Sequence, residues 1–296
     1  MSATGGNLGL AARGLGAIEP APDRKKRRAS RRRRPRLWRV TIFVLAAIYF
    51  IGPQLAAFKF SLVLSSGKYG LGNYGQIVQN SALRDALFTS LEISAITAVV
   101  VVVLVLPTVV WIRLRAPKLT LLLEGITILP IVIPPVVLAA GLEQLEGHSP
   151  QWLVSLVFNH ALTGLTPFYV ILALPFSYRA IDTGVRAIDL RTLVDASRSL
   201  GSSSFSTLTR VILPNVQTAV LGAVFLTVAL CLGEVVIANI LLYVTFPVEI
   251  IQVGQETGPG VQVAVSILSL LFVFGLLFAL SFLAGRKRGA TSTRLI

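Results

Sequence analysis

Three carboxylates stand inside or near the ends of long apolar runs: Glu92, Glu124 and Glu234. An ionised acid at membrane depth is costly unless it faces water or a partner, so each is a candidate for contact with a moving ion or solute. Glu92 and Glu124 lie within about two turns of the ends of their runs. There, snorkelling to the interface or pairing with a loop arginine satisfies the charge. Glu234 differs, because it follows Gly233 inside "LTVALCLGEVVIANILLYV", where a helix has reason to break. Irregular backbone at that depth is tolerated only against protein or a water-filled cavity. Two roles stay open for Glu234: lining a path, or stabilising the break. In "LPIVIPPVVLAAG", Pro130, Pro134 and Pro135 each remove a backbone donor and kink their helix, which suits a cavity-lining or moving helix and equally a static bend. Glu234, Gly233, Pro134 and Pro135 are therefore the candidates for a translocation path.

Other chemistry finds no footing. "GLGNYG" (Gly70 to Gly75) fits a dinucleotide-loop pattern but has no strand before it, and reads as a turn. "SSGKY" around Gly67 and Lys68 resembles the end of a phosphate-binding loop, yet Leu62 stands where its first glycine is required and Tyr69 where its hydroxyl is required. His148 and His160 lack zinc-site spacing or carboxylate company, and the single cysteine, Cys231, excludes an intrachain disulfide and a cysteine-based metal site. Nucleophile elbows and paired intramembrane aspartates are missing too. The expectation is a non-enzyme with no metal and no cofactor.

The elements that must position these residues are membrane helices. Of 296 residues, 54% are hydrophobic and only 14% charged, with mean hydropathy +0.77. Several runs approach the roughly 20 apolar residues that cross a bilayer core. The runs are continuous rather than alternating, so the fold class is all-α, a polytopic membrane protein. About six spans are expected, at 40–57, 86–112, 119–142, 161–178, 216 to about 244, and 261–284. Of 27 Lys and Arg, 12 precede the first span, 3 fall in 113–118, 5 in 179–210 and 4 after the last span, leaving only Lys59, Lys68 and Arg84 for the other side. By the positive-inside rule both termini are cytoplasmic, and the loops 143–160 and 245–260 face outward. The run "RKKRRASRRRRPRLWR" is a topology signal and a contact for anionic lipid rather than a nucleic-acid patch, since it holds one aromatic, Trp38, and ends at a span. Residues 1 to about 23, rich in Gly and Ala, are expected to be disordered, and the first span is expected to be a retained anchor.

One cytoplasmic segment is polar and helical without being catalytic: "DASRSLGSSSFSTLTRVILPN", Asp195 to Asn215. Leu190, Leu193, Val194 and Ser197 make one semi-apolar face. After Gly201, Phe205, Leu208 and Ile212 repeat helically until Pro214. The pattern is a short helix, a glycine turn at positive φ, and a second short helix entering the membrane. A small, hydroxyl-rich face fits a protein groove better than a lipid surface.

The order Asp195-Ala196-Ser197, Gly201 and "VILP" (Val211 to Pro214) resembles the Glu-Ala-Ala, Gly, Ile-x-Leu-Pro loop of permease subunits in binding-protein-dependent (type I) ABC importers. "LGNYGQIVQNSALRDALFTSLEIS", "LPFSYRAID" and "LGEVVIANIL" extend the resemblance over most of the chain, nearest to permeases for spermidine/putrescine, ferric iron and similar small ions. It implies an ATP-driven importer subunit in a prokaryotic plasma membrane, moving a small solute such as a polyamine by alternating access. The implied partners are separate ABC ATPase subunits that hydrolyse the ATP, a second permease, the same or different, and an external substrate-binding protein. Residues 1–39 would be a tail, 40–285 the permease domain with a coupling loop at about 180–214, and 286–296 a second tail. Asp195, Ala196, Ser197, Arg198, Gly201, Leu213 and Pro214 would couple to the ATPase. Asp195 for Glu, Ser197 for Ala and Val211 for Ile depart from the pattern conservatively. The alternative class is an ion-gradient-driven secondary transporter or channel, which predicts internal repeats that this chain does not display.

Overall fold

A computed structural model describes residues 37–64 and 66–289. Most of the expected N-terminal tail and much of the C-terminal one lie outside them. The chain divides after Pro53, within helix α1 (Leu37–Ser61). The unit that begins at Gln54 holds the remaining elements.

After a turn at Gly67 (φ 74°), where the Leu64 N–H donates to Lys68 O at 2.9 Å, the chain enters α2 (Gly72–Gln79). The described part of "SSGKY", Ser66 to Tyr69, is thus a tight turn. "GLGNYG", expected as a turn, instead supplies the first turn of α2: Asn73 is buried there and its amide donates to Ser61 O at 2.8 Å and Val63 O at 2.9 Å. The isolated bridge between Val63 and Tyr69 is the only β pairing among the described residues.

Helix α3 (Ser81–Arg115) starts at Asn80, whose side chain accepts the Leu83 N–H, and runs 35 residues. At 1.5 Å per residue that is about 52 Å, well beyond a hydrocarbon core of about 30 Å. Helix α7 (Ala161–Arg186) is likewise longer than the apolar run 161–178 and carries its last turns past Tyr178. With α11 (Gln217–Gly233), α3 and α7 form the centre of the unit. Ala173 and Ala223 are buried completely or nearly so, and the Gly184 backbone meets Ala219 so closely that a Cβ there would collide with it. Small residues let helices approach where lipid supplies no hydrophobic drive. The hydroxyls of Ser177 and Thr227 meet at 3.0 Å across the same interface.

Two of the expected spans are broken. The third is not a kinked helix but a pair, α4 (Thr120–Val132) and α5 (Pro135–His148), bent by 91°. Pro134 and Pro135 lack N–H donors, and a residue before proline is forced out of the α region. Ile133 (ψ 121°) and Pro134 (ψ 137°) are accordingly extended, and Pro135 restarts a helix at its first position, where no donor is needed. Pro130 stays inside α4. The fifth run ends α11 at Gly233 and restarts as α12 (Val236–Ile240). Among the described residues, five helices are long and apolar enough to cross a membrane, and six spans result if the bent pair is counted as one.

The short helix α6 (Gln151–Val157) precedes α7. The outward loop expected at 245–260 is mostly helix, α13 (Phe246–Thr257), which buries Phe246, Val248, Glu249 and Val253 and packs on α14 (Pro259–Gly289) and α3. Its apolar residues at i, i+2 and i+7 are too few to register as a span, and of its packing partners α14 follows directly while α3 is distant in sequence.

Candidate functional site

The polar segment folds as α8 (Leu190–Ser199), a turn, α9 (Ser204–Ser206), one wide π-helical turn (Thr207–Ile212) and α10 (Leu213–Asn215). Asp189 caps α8, accepting the Thr192 N–H at 3.3 Å and its hydroxyl at 2.8 Å. Those two bonds hold the Asp189 carboxyl below its ordinary range, so the cap persists into mild acid and is lost only as pH falls through the lowered value. At the other end Gly201 adopts φ 79°. Its N–H donates to Arg198 O at 2.8 Å, and the Ser202 N–H donates to Ser197 O at 3.1 Å. This bond pair closes a helix on a left-handed residue, which only glycine occupies without strain.

The two faces of α8 differ sharply. Leu190, Val194 and Ser197 are buried against the bundle, and the Ser197 hydroxyl meets that of Thr207 at 2.9 Å. Ser197 therefore fastens the helix inward, on the semi-apolar face that its spacing with Leu190 and Val194 implies. Asp195, Ala196 and Arg198 are exposed, as is Pro214, while Leu213 is half-buried. Two apolar residues are also exposed here: Leu200, 86% exposed and not singled out from the sequence, and Phe205, 77% exposed. Helical periodicity counted Phe205 as an inner residue. Its outward position follows from the turn at Gly201 and the π turn, which reset the helical phase.

Behind the loop, four charges tie three helices together. Arg113, near the end of α3, places Nη2 2.6 Å and Nε 2.7 Å from the buried Asp182 of α7. Arg186 reaches the other Asp182 oxygen at 2.8 Å and Glu124 of α4 at 3.0 Å. Glu124 thus pairs with an arginine at the end of its run, one of the two outcomes expected for it. The Asp182–Arg186 spacing of four residues was a visible helical pair; Arg113 joins it only through folding.

At the two broken helices a second cavity of about 370 Å³ is lined by Pro130, Pro135, Phe176, Gly233 and Glu234 among others. Gly233, Glu234 and Pro135 of the candidate path residues meet there; Pro134 makes the bend beside it. The Glu234 carboxylate is fully engaged. Oε1 accepts the Val236 and Ile237 N–H groups at 2.8 and 3.0 Å, and Oε2 accepts the Tyr169 hydroxyl at 3.2 Å. The acid supplies the start of α12 with the acceptors it would otherwise lack. Tyr169, 1% exposed, gave no polar signal in the sequence because it lies in an apolar run. Glu92 is exposed on α3 and remote from this cavity's lining. His148 Nδ1 lies 2.8 Å from Gln144 O, and among the described residues no group of His, Cys, Asp and Glu is disposed to hold a metal.

Residues 113–287 match the family described as binding-protein-dependent transport system inner membrane component. A probable molybdenum ABC transporter permease protein of Haloferax volcanii is 28% identical over 235 residues, covering 77% of this chain and 84% of that protein. A probable ABC transporter permease protein of Sinorhizobium fredii is 32% identical over 194 residues, covering 61% of this chain but only 33% of that protein.

Proposed function

The chain belongs to the family of binding-protein-dependent transport system inner membrane components, and from that premise we propose which surfaces of this importer permease do its work. Permeases of this family are multi-pass and non-catalytic; ATP hydrolysis belongs to a separate subunit. The observation that carries the proposal is the outer face of α8 and its turn. Asp195, Ala196 and Arg198 offer polar contacts, Leu200 and Phe205 offer apolar anchors, and Gly201 fixes the angle between the two limbs.

This face docks in a groove of the ATPase, within a permease domain of 40–285. Inner-face contacts at Val194, Ser197 and Ile212 make the loop one body with α3, α7 and α11, so that movement of the ATPase is delivered to the spans as a rigid-body shift. Leu213 and Pro214 act at the junction with α11 rather than in the groove. The charge distribution supports a cytoplasmic location for both termini and this loop. One copy supplies half a pathway, completed by a second permease, and the external binding protein meets the opposite ends of the helices.

The broken helices α4/α5 and α11/α12 line the path. Glu234 accepts two backbone amides and the Tyr169 hydroxyl, which gives its carboxylate a structural role at the break and makes it a poor guide to the cargo. The cargo class we propose, a small inorganic oxyanion, comes from the name of the Haloferax relative. The test is uptake into vesicles holding the full transporter with its binding protein and ATP, with molybdate and spermidine offered in parallel. ATP-dependent accumulation of molybdate supports the reading. Accumulation of spermidine alone overturns the cargo assignment, and uptake driven by an ion gradient without ATP overturns the coupling assignment.

A further inference from the structure

Between the end of α3 and the coupling segment lies an open groove of about 350 Å³, which shares Arg198 with the proposed ATPase-docking face and Val194 and Ile212 with its inner contacts. Its floor is apolar, with Val110, Leu114 and Val194 among the residues that form it, and its mouth is marked by Trp111, 55% exposed. Arg115 and Arg198 stand at its rim, one from each side. We propose that this groove binds one anionic phospholipid, with an acyl chain against Val110 and Leu114 and the headgroup phosphate between Arg115 and Arg198.

Charge decides the occupant. No Asp or Glu lines the groove, and among the described residues neither Arg115 nor Arg198 makes an ion pair. The contrast with nearby Arg113 and Arg186 is direct, since both are committed to carboxylates. Two unspent guanidinium groups in a groove that Ser204 also lines suit a phosphate, which arginine binds through paired N–H donors. Depth agrees. The apolar run of α3 ends at Ile112 and basic residues follow, so the groove straddles the boundary between hydrocarbon and headgroups, the level at which exposed tryptophan collects. A neutral lipid would leave both arginines uncompensated, and a free phosphate would leave the apolar floor bare. Held there, the lipid would fill the gap between α3 and the coupling segment and stiffen the link between them. The proposal uses the cytoplasmic placement of this end but not the transport reading.

The experiment measures phosphatidylglycerol retained by the full chain, purified alone and with its ATPase, using native mass spectrometry after reconstitution with phosphatidylglycerol and phosphatidylcholine. Retention of one phosphatidylglycerol in preference to phosphatidylcholine, reduced about 10-fold by Arg115→Gln and restored in part by Arg115→Lys, supports the site. A second variant, Leu114→Asp, tests the acyl contact with the rim intact, and it too lowers retention. Equal retention in wild type and Arg115→Gln overturns the proposal. So does full displacement by inorganic phosphate, which would mean an anion site without a chain, and so does expulsion of the lipid when the ATPase binds, which would make the groove part of that interface. Retention is read without transport, so failure here leaves the importer assignment standing.

Discussion

The coupling segment and the double break at the α11/α12 junction set the same physical problem, a helix that stops where its backbone groups need partners, and solve it in different ways. At the end of α8 the problem is settled by conformation. Gly201 turns left-handed, and two backbone bonds close the end without recruiting a side chain. At α12 it is settled by charge, with a carboxylate accepting two N–H groups and steadied by a tyrosine. The difference follows from the surroundings. The coupling turn is open to water, so its outer side chains are left available for a partner. The α12 break lies in an apolar run and is half-buried at Glu234, Val235 and Val236, where an unpaired amide is expensive and the acid prevents it. An intramembrane carboxylate is thus no guide to cargo until its hydrogen bonds are counted.

The comparison can be broken most severely at the charge cluster behind the coupling loop. Asp182→Ala leaves Arg113, with 24% of its side chain exposed, facing no anion, and is expected to cost about 3 kcal/mol. A thermal melt of the purified protein unchanged by this substitution would mean that α3, α4 and α7 are not joined by charge. Next in size, converting both Leu200 and Phe205 to Ser should weaken ATPase association by about 30-fold, or about 2 kcal/mol, while the permease melts as before. Normal binding by that variant would move the docking surface elsewhere.

Glu234→Ala should lower stability by about 2 kcal/mol, because the Val236 and Ile237 amides lose a charged acceptor. Glu234→Gln, retaining one acceptor oxygen, should fall between, and binding of cargo should change little in the Gln variant. A strong loss of cargo affinity there without loss of stability would return Glu234 to the path and erase the contrast. The smallest effect expected is from Gly201→Ala, about 1 kcal/mol from the left-handed conformation, since no atom lies near enough to a new Cβ to add a clash. It would be read as a modest decrease in ATP-driven uptake with the ATPase still bound.

Much of this was legible in the residues. The glycine turn, the helix break after Gly233 and the proline interruption are local events, dictated by missing donors and by the one residue that tolerates positive φ. The Arg113 partner of Asp182 was not legible, because α3 and α7 meet only on folding, and neither was the outward place of Phe205, which depends on which way a short helix faces. A π turn shifts that phase in a manner no periodicity count registers. Helix α13 escaped for a related reason: its burial comes from packing on α14, which follows it, and on α3, far along the chain.

From sequence alone came the membrane class, the helical spans, the charge asymmetry and the loop whose motif carries the family resemblance. These rest on composition and on short-range chemistry, which every chain carries with it before it folds. Only the tertiary structure decided that Glu234 is already bonded, that the Ser197 hydroxyl meets that of Thr207, that Arg113 and Arg186 are committed while Arg115 and Arg198 are not, and that two broken helices share one cavity. Each of these is a pairing between residues brought together by packing. Whether a polar group is spent or available is settled by its neighbours in space.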